Sequence, residues 1–409
     1  MSTQVHATLT DETVRQISDA SDEPEWLLET RLDALAALDD LEMPHVIRTP
    51  GRDWTNLDAL DFENLVDPLN AAEEKELVGD EGVVVISIAD ALADEAYEPI
   101  VHEHFGSVVD PEENYLTALS TALFSSGTFV YVPEGVAAEE VTIRTEMHSR
   151  SLFNYTLVVA EESSSVTILE RQFTGEDASP DVGDDRYYSA IVEVVAGENS
   201  NVQYGWLQNV DEDTYNYTLK RGDADTYATI NWIEGNIGSR LTKSAVETEL
   251  TGRGAESQIV GAFFGHEDQH FDVNSRVWHI NEHTTADLVT RGVLDDRARS
   301  VYEGVQDVGR DAWSTSSYQR ENTLMLSDES EADASPKLII NNHDTEASHS
   351  ATVGQVDAEE LLYMTSRGID EKQAKDMLVE GFFVPVLEEI AVDEFREDLE
   401  SMIRARLNE

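Results

Sequence analysis

The sequence contains no cysteine. No disulfide can form within it, and no thiolate of its own can hold zinc or an iron–sulfur cluster. Basic residues are scarce: 27 Lys and Arg stand against 84 Asp and Glu, a formal net charge of −57. That balance argues against direct binding to nucleic acid or an anionic membrane, both of which are polyanionic. Long apolar runs are missing as well, and none approaches the roughly 20 residues of a bilayer-spanning helix. The start, MSTQVHATLTDETVRQ, has neither the basic nor the apolar segment of a secretory leader. A soluble, cytoplasmic protein is the expectation. Nucleotide signatures are also lacking, with no GxxxxGK[ST] and no GxGxxG between a strand and a helix. There is no GxSxG nucleophile elbow. Any ATP hydrolysis that serves this protein has to come from a partner.

What is present is a core. Hydrophobic residues make up 40% of 409 positions, and they cluster in Val/Ile/Tyr/Phe runs that a disordered acidic chain would not carry. The acidity therefore belongs to a folded surface. Such self-repulsion is tolerable in concentrated salt, where the Debye length falls to about 3 Å at 1 M. A salt-loaded, halophilic cytosol is the expected setting.

Three zones follow one another. Residues 1–124 read as helical and mixed: PEWLLETRLDALAALDDLEMP places Leu28, Leu32, Leu35 and Leu38 at helical spacing, and NYLTALSTALF is a second helical run. Residues 125–345 read as strands, among them GTFVYVP, NYTLVVA, SVTILER, YYSAIVEVVA, NVQYGWLQ, ATINWIEG and FDVNSRVWHI, each bounded by turn residues. A mainly β core of this length suits a sandwich, a barrel or a β-solenoid, and no fixed repeat chooses among them. Residues 346–409 are helical again. Asp357 with Glu360 makes a capping-box-like start, Gly368 is placed to end that helix, and Leu378, Phe382, Val386 and Ile390 recur every four residues.

One short motif competes for attention. His266-Glu267-Asp268-Gln269-His270 matches HExxH, whose two histidines share a zinc only when one helical turn puts them on one face. Here Gly261 and Gly265 precede it and Phe271, Val273, Val277 and His279 follow at even spacing, so a turn entering a strand is expected. The metzincin continuation is absent, since Val273 and Arg276 occupy its positions. His279 shares its strand face with Val277 and is expected to be a satisfied core or interface histidine; His283 completes the local cluster.

Longer segments are more specific. GVLDDRARSVYEG, NTLMLSDESEADASPKL and SHSATVGQVDAEELLYMTSRGI, in that order, together with TALFSSGTFVYVPEGV and PEWLLETRLDAL, resemble the SufB/SufD family of iron–sulfur cluster assembly proteins. Within it the chain is more similar to SufD, because SufB is expected to carry a cysteine near the end of its β-helix. The resemblance implies a right-handed parallel β-helix between helical end regions. It also implies a non-catalytic scaffold subunit that pairs with a SufB-like paralogue through the β-helix and with the ABC-type ATPase SufC through its C-terminal helices. No cofactor would be stably bound; iron or a nascent cluster would pass transiently through the subunit interface. His349 matches the histidine of the family's SHGATVG motif, with Ser350 in place of the glycine, and is the expected ligand; His343 beside Asp344 is a second candidate. Imidazole and carboxylate both suit iron. For partner contact the candidates are Leu378, Phe382 and Val386 of the apolar stripe, with Tyr363 and Arg367. The family also allows like-with-like pairing, so a homodimer is compatible. Two other readings stand beside this one: a self-contained zinc hydrolase using the HEDQH segment, and a homodimeric β-solenoid binding module.

Overall fold

The computed structural model describes residues 9–44, 60–175, 185–390 and 392–408. The stretch 1–8, read above for a leader, lies outside these. The N-terminal region contributes helices α1 (Asp11–Ala20), α2 (Glu25–Ala37) and α3 (Phe62–Leu65), then strands β1 (Glu73–Val78) and β2 (Val84–Ser87). Helices α4 (Ile88–Ala93), α5 (Glu98–His104) and α6 (Tyr115–Leu123) complete it. Side chains cap α1, α4 and α6: Asn114, for example, accepts from the N–H groups of Leu116 and Thr117 to start α6.

Sixteen strands follow with no helix between them among the described residues. They are β3 (Ser126–Val132), β4 (Val141–Met147), β5 (Ser151–Ala160), β6 (Ser165–Thr174), β7 (Arg186–Ala196) and β8 (Asn201–Asn209). Next come β9 (Thr214–Ala224), β10 (Thr229–Asn236), β11 (Leu241–Leu250), β12 (Glu256–Gly265) and β13 (His270–His279). The last are β14 (Thr285–Leu294), β15 (Arg299–Val308), β16 (Thr315–Met325), β17 (Glu331–Ile340) and β18 (Thr345–Gln355). Even-numbered strands from β4 to β18 pair in parallel in one nine-stranded sheet, with β1 antiparallel at its edge. Odd-numbered strands β3 to β17 form the other, edged by antiparallel β2. Successive strands thus alternate between two sheets, giving a parallel β-solenoid of about 8 turns. This selects the solenoid from the three architectures that the strand pattern allowed.

The rungs explain why no repeat is visible in the sequence. Stacked residues are 26 positions apart from Tyr215 to Leu241 but 36 apart from Ser151 to Tyr187. Strand registers stay constant while corner lengths vary. One corner is nonetheless built alike on most rungs: Gly135, Ser163, Asn199, Tyr227, Gly254, His283 and Ser314 all take positive φ between 57° and 70°. Several of them donate their N–H across to the next turn, as Asn199 does to Thr226 O at 2.8 Å. Polar and small residues tolerate this left-handed backbone, which is where His283 belongs.

Three packed layers result. The lumen between the sheets holds one core, including Ile168, Tyr204, Trp232, Ile259 and Leu288, which stack on successive rungs. Helices α1, α2 and α6 cover the outer face of the odd-strand sheet, against Tyr155, Leu157 and Ile191. After β18 the chain forms α7 (Ala358–Thr365), α8 (Glu371–Leu387) and α9 (Asp393–Asn408). The last two fold back on the even-strand sheet, packing Val379, Phe383, Val386, Phe395 and Leu399 on Leu207, Ile233, Val260 and Phe264. Close approach is possible because Gly205 has no side chain; a Cβ there would lie 3.0 Å from the Phe395 ring.

Two sequence expectations shift. A boundary between 345 and 346 does not fall between elements, because β18 runs Thr345–Gln355 as the last strand of its sheet. The apolar stripe also slips by one residue: Val379, Phe383, Val386 and Leu387 are buried, while Leu378 and Phe382 are only half-buried. A four-residue spacing precesses by about 40° per step around a 3.6-residue helix, so a strict every-fourth stripe cannot stay on one face.

Candidate functional site at the open end of the solenoid

The solenoid is covered on both faces but left open where it stops. β17 and β18 are the terminal strands of the two sheets, and their side chains are half-buried or exposed throughout, whereas β15 and β16 before them still carry buried positions. Parallel, in-register strands point paired residues the same way. On β16 the odd positions Thr315, Ser317, Gln319, Glu321 and Thr323 are all buried and so face the lumen. β18 pairs with them through Ala347 on Ser317, His349 on Gln319, Ala351 on Glu321 and Val353 on Thr323.

His349 is therefore a lumen-facing residue in the middle of the last strand, exposed only because no further rung covers it. The zone reading put position 349 within the helical residues 346–409, whereas it lies on β18. Its imidazole makes no hydrogen bond or ion pair with other described residues. Ser350 faces the opposite way in an extended strand, where a side chain is accommodated without strain. His343 is exposed in the turn between β17 and β18, on the same open rung. Around the mouth Ile339, Ile340 and Val353 are each 41–42% exposed. The two terminal strands differ as edges. β17 carries Pro336, which offers no N–H to a further strand; β18 has no proline and keeps its outward N–H and C=O groups available.

Below the mouth the lumen also holds buried charged side chains among its apolar core, which the sequence did not reveal. Glu321 accepts from Thr323 Oγ1 at 2.5 Å, but its Oε2 has no hydrogen-bond partner among the described residues. Burial pushes its carboxyl up to about 7. Further in, Lys220 Nζ lies 3.1 Å from Glu234, whose pKa burial raises to about 7 against the opposing pull of the lysine. Glu170 accepts from Asn154 at 3.1 Å and from the Tyr204 hydroxyl. These residues lie on strands far apart in sequence, and only the register shows that they share one interior.

Glu321 gives a pH prediction with a definite sign. Its folded-state pKa is raised, so the folded chain keeps a proton that the unfolded chain has released above its ordinary value of 4.5. The stability it contributes is complete below about pH 4.5 and is lost as pH rises to about 7, at up to about 1.4 kcal/mol per pH unit. Urea unfolding of wild type and Glu321→Gln across that window, at constant salt, should show the gap between them changing by roughly 3 kcal/mol. Parallel curves would mean that Glu321 is solvated and ionised throughout.

The remaining sequence candidates separate cleanly. Tyr363 is 59% exposed on α7, and Arg367 stacks over its ring at 3.6 Å. Phe382 lies under Arg291, 4.8 Å from its ring. Val386 is fully buried against the even-strand sheet, so its side chain cannot reach a partner while α8 is docked; that assignment is corrected. His279 hydrogen-bonds Thr284 at 2.9 Å and Gln306 at 3.2 Å, and burial lowers its pKa to about 4, as suits a neutral core imidazole. The HExxH match is not a helix. Gly265 ends β12, Glu267 takes φ +49° in a turn, and His270 begins β13. His266 is instead tied to Glu212 at 2.5 Å beside Arg406 of α9. The zinc-hydrolase alternative loses its geometry.

Comparison with known proteins agrees with this architecture. Residues 142–382 match the family model described as SUF system FeS cluster assembly, SufBD core domain, and residues 55–143 match the SufBD protein N-terminal region. The chain is 29% identical to the iron–sulfur cluster assembly protein SufD of Bacillus subtilis, over 97% of both chains. It is 28% identical to SufB of the same organism and to a SufBD family protein of Staphylococcus saprophyticus, each over 94% of this chain and 90% of the relative. With the core model spanning more than half of its length on a β-solenoid, this chain belongs to the SufBD family of the SUF iron–sulfur cluster assembly system.

Proposed function

We propose that this protein is a non-catalytic, SufD-like scaffold subunit that joins a cysteine-bearing SufB-like paralogue end to end. The observation that carries this is the open rung: β18 is an uncovered edge strand with His349 stacked on Gln319 at the mouth of the lumen. A partner strand added to β18 would satisfy its free backbone groups and cover Ile339, Ile340 and Val353. It would also enclose His349 between two subunits. Iron, as cargo rather than resident cofactor, would meet an imidazole from this chain and a thiolate from the other. The absence of cysteine here makes the partner's sulfur necessary.

ATP-driven rearrangement would enter through the C-terminal helices. The surface offered to an ATPase of the SufC type is α7 with Leu362, Tyr363 and Arg367, continued by Met377, rather than the buried face of α8. No helix among the described residues is long and apolar enough to cross a membrane, which is compatible with work in the cytoplasm.

Tagged protein purified from its own cells at high salt should bring down an ATPase subunit and the cysteine-bearing paralogue. His349→Ala should leave that assembly intact while the activity of iron–sulfur enzymes in the cell falls toward that of a strain lacking the gene. Normal cluster-enzyme activity in the variant would reject the role of His349. Recovery of the chain only as a dimer of itself would reject the heteromeric scaffold in favour of the binding-module reading.

A further inference from the structure

At the other end of the even-strand sheet a different set of side chains converges. β1 runs antiparallel to β4, and the register sets Glu74 directly opposite Glu146. Two carboxylates facing each other across a strand pair repel, so their placement there calls for a compensating charge. His148 lies two residues beyond Glu146 and donates its N–H to Ala72 O at 2.9 Å, extending the pairing. Its imidazole thus rises on the same face as both carboxylates.

The environment of that imidazole is unusual. Nε2 is shielded from solvent and makes no hydrogen bond among the described residues. It stands 3.8 Å from Glu146 Oε2, beyond hydrogen-bond range. Arg144 approaches the other oxygen of Glu146, Oε1, at 3.3 Å, which leaves Oε2 turned toward the histidine. The ring occupies space that any side chain at 175 would need: a Cβ on Gly175 would lie 2.1 Å from His148 Cε1. The side chain of His148 is about a quarter exposed, and Glu146 is the acidic group nearest its Nε2. One ligand atom each from Glu74, Glu146 and His148 lies within 4.8 Å of the others.

The geometry points to a divalent transition-metal site formed by Glu74, Glu146 and His148 at the β1–β4 edge. Tetrahedral ligand atoms with bonds near 2.1 Å stand about 3.4 Å apart, a few tenths of an ångström inside the separation of His148 and Glu146. A nitrogen donor with two carboxylates suits zinc, manganese or ferrous iron; calcium and magnesium prefer all-oxygen sets. Bound metal would cancel the Glu74–Glu146 repulsion and pin β1, the first strand among the described residues, to the opening rung of the solenoid. The site lies on the opposite edge of the sheet from His349 and does not depend on the functional reading above.

The test is calorimetric titration of the full chain with Zn²⁺ in concentrated KCl, with excess Mg²⁺ present to occupy scattered carboxylates. One saturable equivalent is expected. His148→Ala and Glu146→Gln should each weaken it by at least roughly 10- to 100-fold, the loss that follows when only an outer-shell partner of a ligand is removed. The His343→Ala/His349→Ala double variant should bind as wild type does. Zinc should also raise the melting temperature of wild type and not that of His148→Ala. Equal zinc binding by wild type, His148→Ala and Glu146→Gln would overturn the assignment, as would loss of binding in the His343/His349 variant. Both single variants are to be checked for wild-type far-UV dichroism, so that misfolding in one leaves the other to decide.

Discussion

Replacing Val386 by aspartate is expected to strip α8 and α9 from the solenoid. Val386 is fully buried among Val379, Phe383 and Leu387 of its own helix and the even-strand sheet. The substitution removes the transfer free energy of a buried valine, about 1.5–3 kcal/mol. It also puts a carboxylate where no described basic side chain pairs with it, and the total should exceed about 4 kcal/mol. Val384, two positions away, is 42% exposed, so Val384→Asp should change stability by no more than about 0.5 kcal/mol. Urea unfolding together with protease sensitivity near α8 would show the contrast. Equal effects at the two positions would mean that α8 does not dock through this face, and would restore Val386 as a candidate for partner contact.

Transfer to dilute buffer is expected to have the broadest effect of all. If every one of the 27 basic residues were paired, 57 carboxylates would still lack a basic partner. At 0.1 M salt the Debye length is about 10 Å, so neighbouring surface charges feel each other; at 1 M it is about 3 Å and they scarcely do. The exposed pairs that exist, such as Arg297 with Asp268 at 2.7 Å, contribute little each. Far-UV dichroism should report cooperative loss of structure as KCl is lowered from multimolar to about 0.1 M. Sucrose supplied in place of KCl separates screening from solute exclusion, since it strengthens apolar burial without screening charge. Full structure in dilute buffer would reject the salt-adapted reading.

These two results probe different levels of organisation. Residues that act through near neighbours were legible in the sequence. Asp357 was read as a helix start and is one, its carboxylate accepting from the N–H groups of Glu359 and Glu360, and the NYLTALSTALF run became α6. Gly368, at φ +89°, follows α7 where an ending was expected. The strand runs from GTFVYVP to FDVNSRVWHI all became strands, because alternation and β-branching act within five or six residues. The turn reading of HEDQH rested on two preceding glycines and the even spacing after it, and held for the same reason.

What the tertiary structure alone decided concerns residues brought together across rungs or layers. Arg31 sits in a helical run of leucines, yet it is fully buried, bonded to Glu23 at 2.6 Å and to the Ala122 carbonyl at 3.2 Å. No local pattern distinguishes it from a solvated helix-surface arginine. The place of His349 over Gln319 depends on a 30-residue step between rungs, and that step varies because corners differ in length while strand register does not. Glu74 and Glu146 meet through an antiparallel register between strands that are distant in sequence. The sequence determined most of the segments that become strands and helices, which ligand types are present and that no thiolate is among them. Which side chains share a lumen, an edge or a buried face was decided by stacking, since hydrogen-bonded register couples positions that no local periodicity connects.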